Sequence, residues 1–543
     1  METADREPMM WSMTGSDSAQ TAAPSGDRRL MMLLAGAMFV LVVDTSFMNV
    51  SISAVVHDLK ATASGVQSAI ALEALVSAAF ILIGSKVGDL IGRKKAYVIG
   101  LLGYATGASA MMLAQSITAV IIFWAIIGGL GASLLLPAMQ SLIHGNFEGA
   151  AQKQAYALVG AAAGIAAAVG PLLGGFITTY LSWRVAFGFE VVVILVVLSG
   201  IKLVKDVPYT GPRKVDIVGS LLSIVGMGGI VLGILVWQEG GEWVGVLIAL
   251  GVAALATLFW WIAKRKREDK TPLLDPDLFA SKIFRYGVTG QMLQQISLGG
   301  MMIALPIYLQ MVFGYNALEA GVSLAPLSLT MFAVALYAGR HPAKRRSGSL
   351  IRIGFGALCV GALALIPLIP RADSGWWLVA PLIVAGIGLG ILVSQLNNYT
   401  LAPISAERVS EAAGVNSAGG SFGLSFGLAF GGAIMLATLS ATFTSMANAS
   451  TALTQEQKTQ VSATLEHDAE VMSDEALQPL LEGQSPAVQD EILSINSDAR
   501  HRALQVALLV PLIAALLGFL NAFRMLREPE PEPSEAAEGM MLG

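Results

Sequence analysis

Two acidic residues inside apolar runs are the side chains of this sequence best suited to chemistry. Asp44 lies within "MFVLVVDTSFMNVSIS" (residues 38–53), and Glu73 lies within "VQSAIALEALVSAAF" (residues 66–80). A carboxylate near the centre of a membrane costs about 2.5–3.5 kcal/mol on insertion scales, so each should face a protein interior or water rather than lipid. Such a group can bind a proton or a cation.

The helical rise places both acids at a similar depth. Asp44 lies 15 residues after Arg29, and Glu73 lies 13 residues before Lys86. At about 1.5 Å per residue, these separations are about 22 Å and about 20 Å from the same side of the membrane. If the two acids share a cavity, burial and mutual repulsion make it costly to ionise both, and the pair could titrate as a coupled unit.

Simpler interpretations of these acids stay open. Asp44 could merely hydrogen-bond Thr45 or Asn49, and Glu73 could face a neighbouring helix. A third and weaker candidate is Glu190, about two turns into the sixth apolar run from its outer end, where we expect a surface position. Asn49 is itself a candidate polar residue of a cavity.

The C-terminal half contains no Asp or Glu deep in an apolar run and offers amides and hydroxyls instead. The candidates are Gln291, Gln294, Gln295, Asn397, Asn398, Tyr399 and Asn416. We therefore expect proton or cation chemistry in the N-terminal half and neutral hydrogen bonding in the C-terminal half. The alternative is that these groups only join neighbouring helices.

The composition identifies a membrane protein. The chain has 543 residues, of which 55% are hydrophobic and 13% charged, whereas soluble proteins carry about 25% charged residues. A single cysteine, Cys359, excludes an internal disulfide, and the five histidines form no ligand pattern. No phosphate-binding loop, nucleophile elbow or metal spacing is present. We expect no cofactor, no metal, no enzymatic activity and no nucleic-acid partner.

Apolar runs long enough to cross a membrane recur about fourteen times. They lie at 30–56, 65–87, 96–115, 119–143, 154–181, 184–204, 216–237, 243–263, 286–311, 318–340, 350–370, 376–401, 412–439 and 502–525. The first run is long enough to span and follows a polar segment, so no cleavable signal peptide is expected.

The charges orient these spans. If the N-terminus is cytoplasmic, all but six of the 33 Lys and Arg residues fall on the inner side. The exceptions are Lys60, Arg184, Arg371, Lys458, Arg500 and Arg502. Since inner loops of membrane proteins are enriched in basic residues, we expect both termini on the cytoplasmic side of the cell membrane.

Two connections and the tail differ from the short loops. Residues 440–501 form an acidic external segment, in which "EQKTQVSATLEHDAEVM" and "SPAVQDEILSI" are typical of short surface helices. The connection 264–285 is basic, and its "PLLDPDLF" could lie on the membrane surface. The Pro- and Glu-rich tail 526–543 is predicted to be disordered.

The stretch "GSKVGDLIGRKK" joins the second and third spans on the inner side. Its candidate residues are Gly84, Gly88, Asp89, Gly92, Arg93 and Lys94. The glycines recur every four residues and let a neighbouring helix approach closely. The aspartate could sit near a helix N-terminus, where the dipole favours an anion, while the basic residues stay in the headgroup region. We interpret the stretch as a charged latch between helix ends, with a topology-setting basic loop as the alternative.

This stretch resembles the loop signature of the major facilitator superfamily. "LVVDTSFMNVSI", "LPIYLQMVFGYNALEAGVSLAP", "WRVAF" and "GVNSAGGSFGLSFG" resemble the superfamily's branch of fourteen-helix drug:proton antiporters. "GAAAGIAAAVGPLLGG" is similar to the antiporter signature of the fifth helix. That signature is carried here by Gly160, Gly164, Gly170, Pro171, Gly174 and Gly175.

The resemblance implies two six-helix bundles around a central cavity, at 30–205 and 271–525, with two linker helices within 206–270. Residues 1–29 would then be a cytoplasmic segment. Bundles of this kind rock around a midplane site and give alternating access. The family default is a monomer that contacts membrane lipids.

One departure from the family pattern affects proton coupling. Relatives usually carry an arginine early in the fourth-helix motif, whereas "FWAIIGGLGASLLLP" has Ala125 at that position. The usual partner of a membrane carboxylate is therefore missing, and Asp44 with Glu73 would form a proton site without an arginine.

These observations lead to a predicted function with two alternatives. The leading prediction is proton-coupled export of amphiphilic, cationic drugs or toxic compounds. Export of a lipid, glycolipid or endogenous metabolite with modified coupling is the first alternative. A membrane sensor or scaffold without transport activity is the second.

Overall fold

The computed structural model describes residues 27–530 except 148, 207–214, 239, 341–344, 405–407, 452, 456–457, 459–480 and 482–484. Within this part of the chain, helices account for the regular structure. In chain order they are α1 (Arg28–Leu59), α2 (Ala63–Ile91), α3 (Arg93–Leu113), α4 (Ile117–Ala119, Val120–Gly128 and Gly129–Asn146), α5 (Gly149–Tyr180), α6 (Trp183–Ser199), α7 (Ile217–Gln238), α8 (Val244–Arg267), α9 (Lys282–Met311), α10 (Ala317–Arg340), α11 (Ser347–Leu368), α12 (Val379–Leu401), α13 (Val409–Ala449) and α14 (Pro486–Ala507 and Leu509–Met525). Short 3₁₀ turns lie at Ile201–Leu203, Pro276–Ala280, Ile369–Arg371 and Gly375–Leu378.

These helices confirm the sequence-based fold. Fourteen of them are long and apolar enough to cross a membrane, and they form two six-helix bundles with α7 and α8 between them. The predicted spans match the helices because each apolar run satisfies its backbone hydrogen bonds internally as a helix, which lipid requires.

The two helices that flank the predicted external loop are longer than the sequence suggested. α13 continues to Ala449, and α14 begins at Pro486, so the segment 440–501 is not an open loop throughout. "SPAVQDEILSI" is helical, as predicted, but it is the start of a 22-residue helix rather than a short one. Its buried Val488, Ile492 and Ile495 pack with the core, which stabilises helix beyond the apolar run. The other proposed surface helix lies largely outside the described residues.

The fifth-helix glycines bring α5 against helices of both bundles. An added Cβ at Gly170 would lie 2.6 Å from Cβ of Ser46 on α1, and one at Gly164 would lie 2.7 Å from the Phe332 ring on α10. Gly174 and Gly175 approach Phe47 of α1 and Ala317 of α10 in the same way, and Pro171 lies inside the helix. Gly160 is also on α5. A side chain at these contacts would push the helices apart, so the glycines form a packing face.

A second contact between the bundles runs along α2 and α13. Ser425 Oγ on α13 donates to Ala71 O on α2 at 2.7 Å. Near the N-terminus of α2, Gln67 Oε1 accepts from Gln238 Nε2 of α7 at 2.9 Å. The linker helix α7 therefore joins the first bundle beside this contact.

Asp216 lies at the opposite end of the two linker helices, α7 and α8, and accepts hydrogen bonds there. Its carboxylate accepts from Gly219 N at 3.0 Å, from Trp261 Nε1 at 3.0 and 3.1 Å, and from Leu273 N at 3.2 Å. Arg265 Nε lies 3.5 Å from the same carboxylate. One buried side chain thus joins the start of α7, the end of α8 and the connection that follows α8.

Candidate functional site

Asp44 lies on α1 at the centre of the first bundle and is fully buried. Both of its oxygens accept hydrogen bonds from other helices. Trp124 Nε1 on α4 donates to Oδ1 at 3.0 Å and to Oδ2 at 2.8 Å, and the Tyr104 hydroxyl on α3 donates to Oδ2. Neither Thr45 nor Asn49 is a partner, because Asn49 Nδ2 donates to Thr45 O of its own helix at 2.8 Å.

The Trp124 donor is positioned by an unusual piece of helix. Val120–Gly128 is π-helical within α4, and π-helical turns often occur at functional sites because the extra residue re-aims side chains. The Trp124 ring packs edge-on against Phe187 of α6, with ring centroids 6.4 Å apart. Packing therefore holds the ring while its N–H points at Asp44.

Glu190 on α6 contradicts the expected surface position. It is fully buried, and its carboxyl group lies close enough to Asp44 to interact with it electrostatically. Neither Glu190 oxygen accepts a hydrogen bond from a donor in the described part of the chain. An apolar sequence around a helical acid does not reveal which face it occupies, and here the acid faces inward.

Glu73 on α2 lies close enough to Asp44 and Glu190 to interact electrostatically with both. Glu73 is buried, and 7% of its surface remains accessible to solvent. The structure thus brings the two acids predicted to share a depth into one electrostatic cluster. Asp44, Glu73 and Glu190 are called the acid cluster below.

The acid cluster contains no compensating cation among the described residues. No lysine or arginine contributes to the electrostatic environment of these three carboxyl groups. Ala125, at the position of the family arginine, is fully buried. Also within the described ranges, no group of three or more His, Cys, Asp or Glu side chains is arranged to hold a metal ion.

The loop stretch forms an ion-paired turn. Asp89 lies in the last turn of α2, and its carboxylate pairs with Arg93, the first residue of α3. Arg93 also donates to Ser85 O at 3.2 Å. This pair offsets the unfavourable interaction of an anion with a helix C-terminus.

Glycines allow this turn to form. Gly92 has φ +101°, a conformation that favours glycine. Lys94 N donates to Asp206 Oδ1 at 3.0 Å, and Lys94 Nζ donates to Val204 O at 2.7 Å. Gly84 lies against the backbone of Ser133 on α4, where a Cβ would collide.

The polar candidates of the C-terminal half lie on α9, α12 and α13. Asn416 Nδ2 on α13 donates to Asn397 Oδ1 on α12 at 3.0 Å, and Gln291 and Gln295 lie beside Gly420 of α13. Gln294 is buried, and its Oε1 has no hydrogen-bond partner among the described residues.

The other two candidates have simpler partners. Asn398 Nδ2 donates to Ser394 O of its own helix at 3.1 Å, and the Tyr399 hydroxyl donates to Met525 O at 3.5 Å.

A cavity lies between the bundles near the N-terminus of α2. It comprises about 390 Å³ including its open mouth and is lined by side chains of α2, α9, α13 and α14. Most of its lining is apolar, with Gln67, Tyr308 and Arg500 as polar members. Gln67 is buried, and its Nε2 has no acceptor in the part of the chain that the structure describes.

Comparison with known proteins decides the family. A sequence model described as Major Facilitator Superfamily matches residues 34–216 and 212–428. The chain belongs to the major facilitator superfamily. The described part of the chain has fourteen candidate membrane spans.

Its sequence relatives have names that refer to drug resistance. It is 29% identical to the puromycin resistance protein pur8 of Streptomyces alboniger over 72% of this chain and 78% of that protein. It is 27% identical to the multidrug resistance protein Stp of Mycobacterium tuberculosis, covering 76% and 77%. It is 26% identical to the multidrug export protein EmrB of Escherichia coli, covering 72% and 76%.

Solved structures agree on the fold. The transporter superimposes with a TM-score of 0.58 on a bacterial homologue of the human lysosomal transporter Spinster, captured inward-facing and unoccupied. The match covers 93% of this chain and 98% of that one at 13% identity. The crystal structure of a peptide transporter POT in complex with sulfate gives a TM-score of 0.58 at 13% identity, covering 92% and 95%.

Tyr104 and Trp124 were missed by the sequence analysis. The family pattern directed attention to a cation at position 125, whereas the donor stands one residue earlier at Trp124. The available signal was the buried carboxylate itself, since it requires donors from neighbouring helices. Both aromatic residues lie in apolar runs of the sequence.

Proposed function

We propose that the transporter exports amphiphilic, cationic compounds in exchange for protons, and that the acid cluster binds the two alternately. The observation that carries the proposal is that Asp44 and Glu190 are fully buried and interact electrostatically with each other and with Glu73, while no lysine or arginine of the described residues acts on these three carboxyl groups. Several unpaired carboxylates cannot stay ionised in such a place at acceptable cost.

Exchange follows from this charge requirement. When protons occupy the cluster it is close to neutral, and when they leave, the positive group of a substrate can take their place. Full protonation of the acid cluster and binding of a cationic substrate therefore exclude each other. A membrane potential supplies about 2.3 kcal/mol per charge per 100 mV for such a cycle.

Alternating access would use the two contacts between the bundles. We propose that the α1–α5–α10 face and the α2–α13 face open in turn at opposite ends, with Asp44 between them. Basic residues at one end, such as Lys94 and Lys266, orient the transporter in the cell membrane with both termini cytoplasmic. The names of the relatives support drugs and antibiotics as substrates.

The test is efflux of a cationic dye from proteoliposomes under an imposed pH gradient. We expect Asp44→Asn and Glu190→Gln to abolish gradient-driven efflux and Glu73→Gln to weaken it. Asp498→Asn removes an exposed carboxylate on α14 and serves as the matched control, with wild-type efflux expected. Gradient-driven efflux that persists in both Asp44→Asn and Glu190→Gln would overturn the proposal.

Export of an anionic amphiphile is a second candidate, favoured by the cavity between α2, α9, α13 and α14. Its lining is apolar except for a few groups that include the Arg500 guanidinium, which suits a lipid-like molecule with an acidic head. Mass spectrometry of the purified protein distinguishes the two candidates. A retained anionic lipid that is lost in Arg500→Gln favours the second, whereas its absence favours the first.

A further inference from the structure

We infer that Tyr104 and Trp124 are positioning residues that hold Asp44 as a hydrogen-bond acceptor. As a result, the proton shared by Asp44 and Glu190, called the acid pair, resides on Glu190. The inference rests on the proposed function for the use of this proton in transport. The location of the proton can nevertheless be measured without transport.

The donors around Asp44 are directional. An indole N–H can only donate, and Trp124 Nε1 lies within 3.0 Å of both Asp44 oxygens. The Tyr104 hydroxyl occupies Oδ2 as a further donor. Hydrogen bonds to an ionised carboxylate are about twice as strong as those to a neutral group, so this arrangement favours a carboxylate at Asp44.

Glu190 has the opposite environment. It is fully buried, and neither oxygen accepts a hydrogen bond from the described residues. A bare carboxylate there would lose its hydration without compensation. A protonated Glu190, in contrast, has no charge that needs hydration, and it carries an O–H donor for Asp44, with which it interacts. One proton placed on Glu190 therefore satisfies both side chains.

The remaining titratable groups around the pair do not change this assignment. Glu73 on α2 and the Tyr104 phenol on α3 act on both acids, and the described part of the chain contributes no cation to either. When the Glu190 proton leaves to water, the pair carries one additional negative charge. The positive group of a substrate would balance that charge, and no electron transfer is involved.

Infrared spectroscopy of the purified transporter can locate the proton. In a Glu73→Gln background, which removes the third acid, we expect a protonated-carboxyl band at neutral pH. That band should disappear with Glu190→Gln and persist with Asp44→Asn. Loss of the band with Asp44→Asn and its persistence with Glu190→Gln would overturn the assignment, as would persistence in both variants.

The role of the donors is tested by titration in the Glu73→Gln, Glu190→Gln background, where Asp44 is the remaining acid of the cluster. Tyr104→Phe removes one hydrogen bond from the carboxylate and keeps the ring. Losing a donor destabilises the ionised form, so the pH midpoint of ionisation should move upward by about one unit. Trp124→Phe should move it in the same direction.

Tyr97→Phe is the matched control. Tyr97 is an equally buried residue of α3 whose hydroxyl has no hydrogen-bond partner among the described residues. Its substitution should leave the midpoint unchanged. If Tyr104→Phe also leaves the midpoint unchanged, the positioning role is wrong. If the midpoint moves but dye efflux does not require protons, the positioning role stands and only the proposed function fails.

Discussion

Replacing Asp216 tests whether one side chain anchors the linker helices. Asp216→Ala would leave three buried donors without their acceptor, namely the N–H groups of Gly219 and Leu273 and the Trp261 indole. It would also remove the partner of Arg265, 3.5 Å away. An unsatisfied buried donor costs about 1–3 kcal/mol.

These costs overlap because the donors share one acceptor and the loop can admit water. Breaking a buried ion pair by removing one partner costs about 3–5 kcal/mol, and we expect Asp216→Ala to destabilise this corner by about that amount. Asp216→Asn keeps an acceptor oxygen and should cost about half as much.

Limited trypsin digestion in detergent gives a local measurement. The last turn of α8 and the connection after it contain the basic sequence "KRKREDK", and cleavage there should become much faster in Asp216→Ala, together with a lower melting temperature. Glu242→Ala, an exposed acid at the other end of the same helix pair, is the control and should behave as wild type. Equal digestion rates and equal melting temperatures in the two variants would refute the anchoring role.

Two further predictions concern the ends of the bundles. Thr179 Oγ1 and Asn316 Oδ1 lie 3.4 Å apart across the two bundles. In a Cys359→Ser background, a disulfide formed between Thr179→Cys and Asn316→Cys should therefore stop dye efflux, and its reduction should restore efflux. Efflux that continues in the fully cross-linked protein would contradict alternating access at this end. At the other end, Asp275 is partly buried, which opposes ionisation, but hydrogen bonds from Lys266 Nζ and Asp277 N hold the pKa of its carboxyl below the ordinary value. The ionised Asp275 carboxylate therefore contributes its full stabilisation above about pH 4, and this contribution is lost as the pH falls through the lower pKa of the folded state. The melting-temperature difference between wild type and Asp275→Asn should be constant from pH 7 to pH 5 and shrink below pH 4. A difference that already shrinks between pH 7 and pH 5 would contradict this prediction.

The helices and one pair of acids were predictable because they depend on local properties. Each apolar run had to form a helix, and the helical rise was enough to place Asp44 and Glu73 at one depth. The glycine-rich sequence of α5 is local information of the same kind, since close helix contacts in membranes require small residues.

The partners of Asp44 were not predictable in the same way. Their identity depends on how α1, α3, α4 and α6 rotate about their axes, and an apolar helix gives little sequence signal for rotation. The inward face of Glu190 and the π-helical turn that aims Trp124 both belong to this category. The lengths of α13 and α14 were underestimated because hydropathy reports only the membrane-embedded part of a helix.

The most direct test of the central claim is proton release on substrate binding. A cationic dye is added to the detergent-solubilised transporter in weak buffer, and the pH change is recorded. We expect wild type to release protons and the Asp44→Asn, Glu190→Gln double variant to release none. Undiminished proton release by the double variant would contradict exchange at the acid cluster.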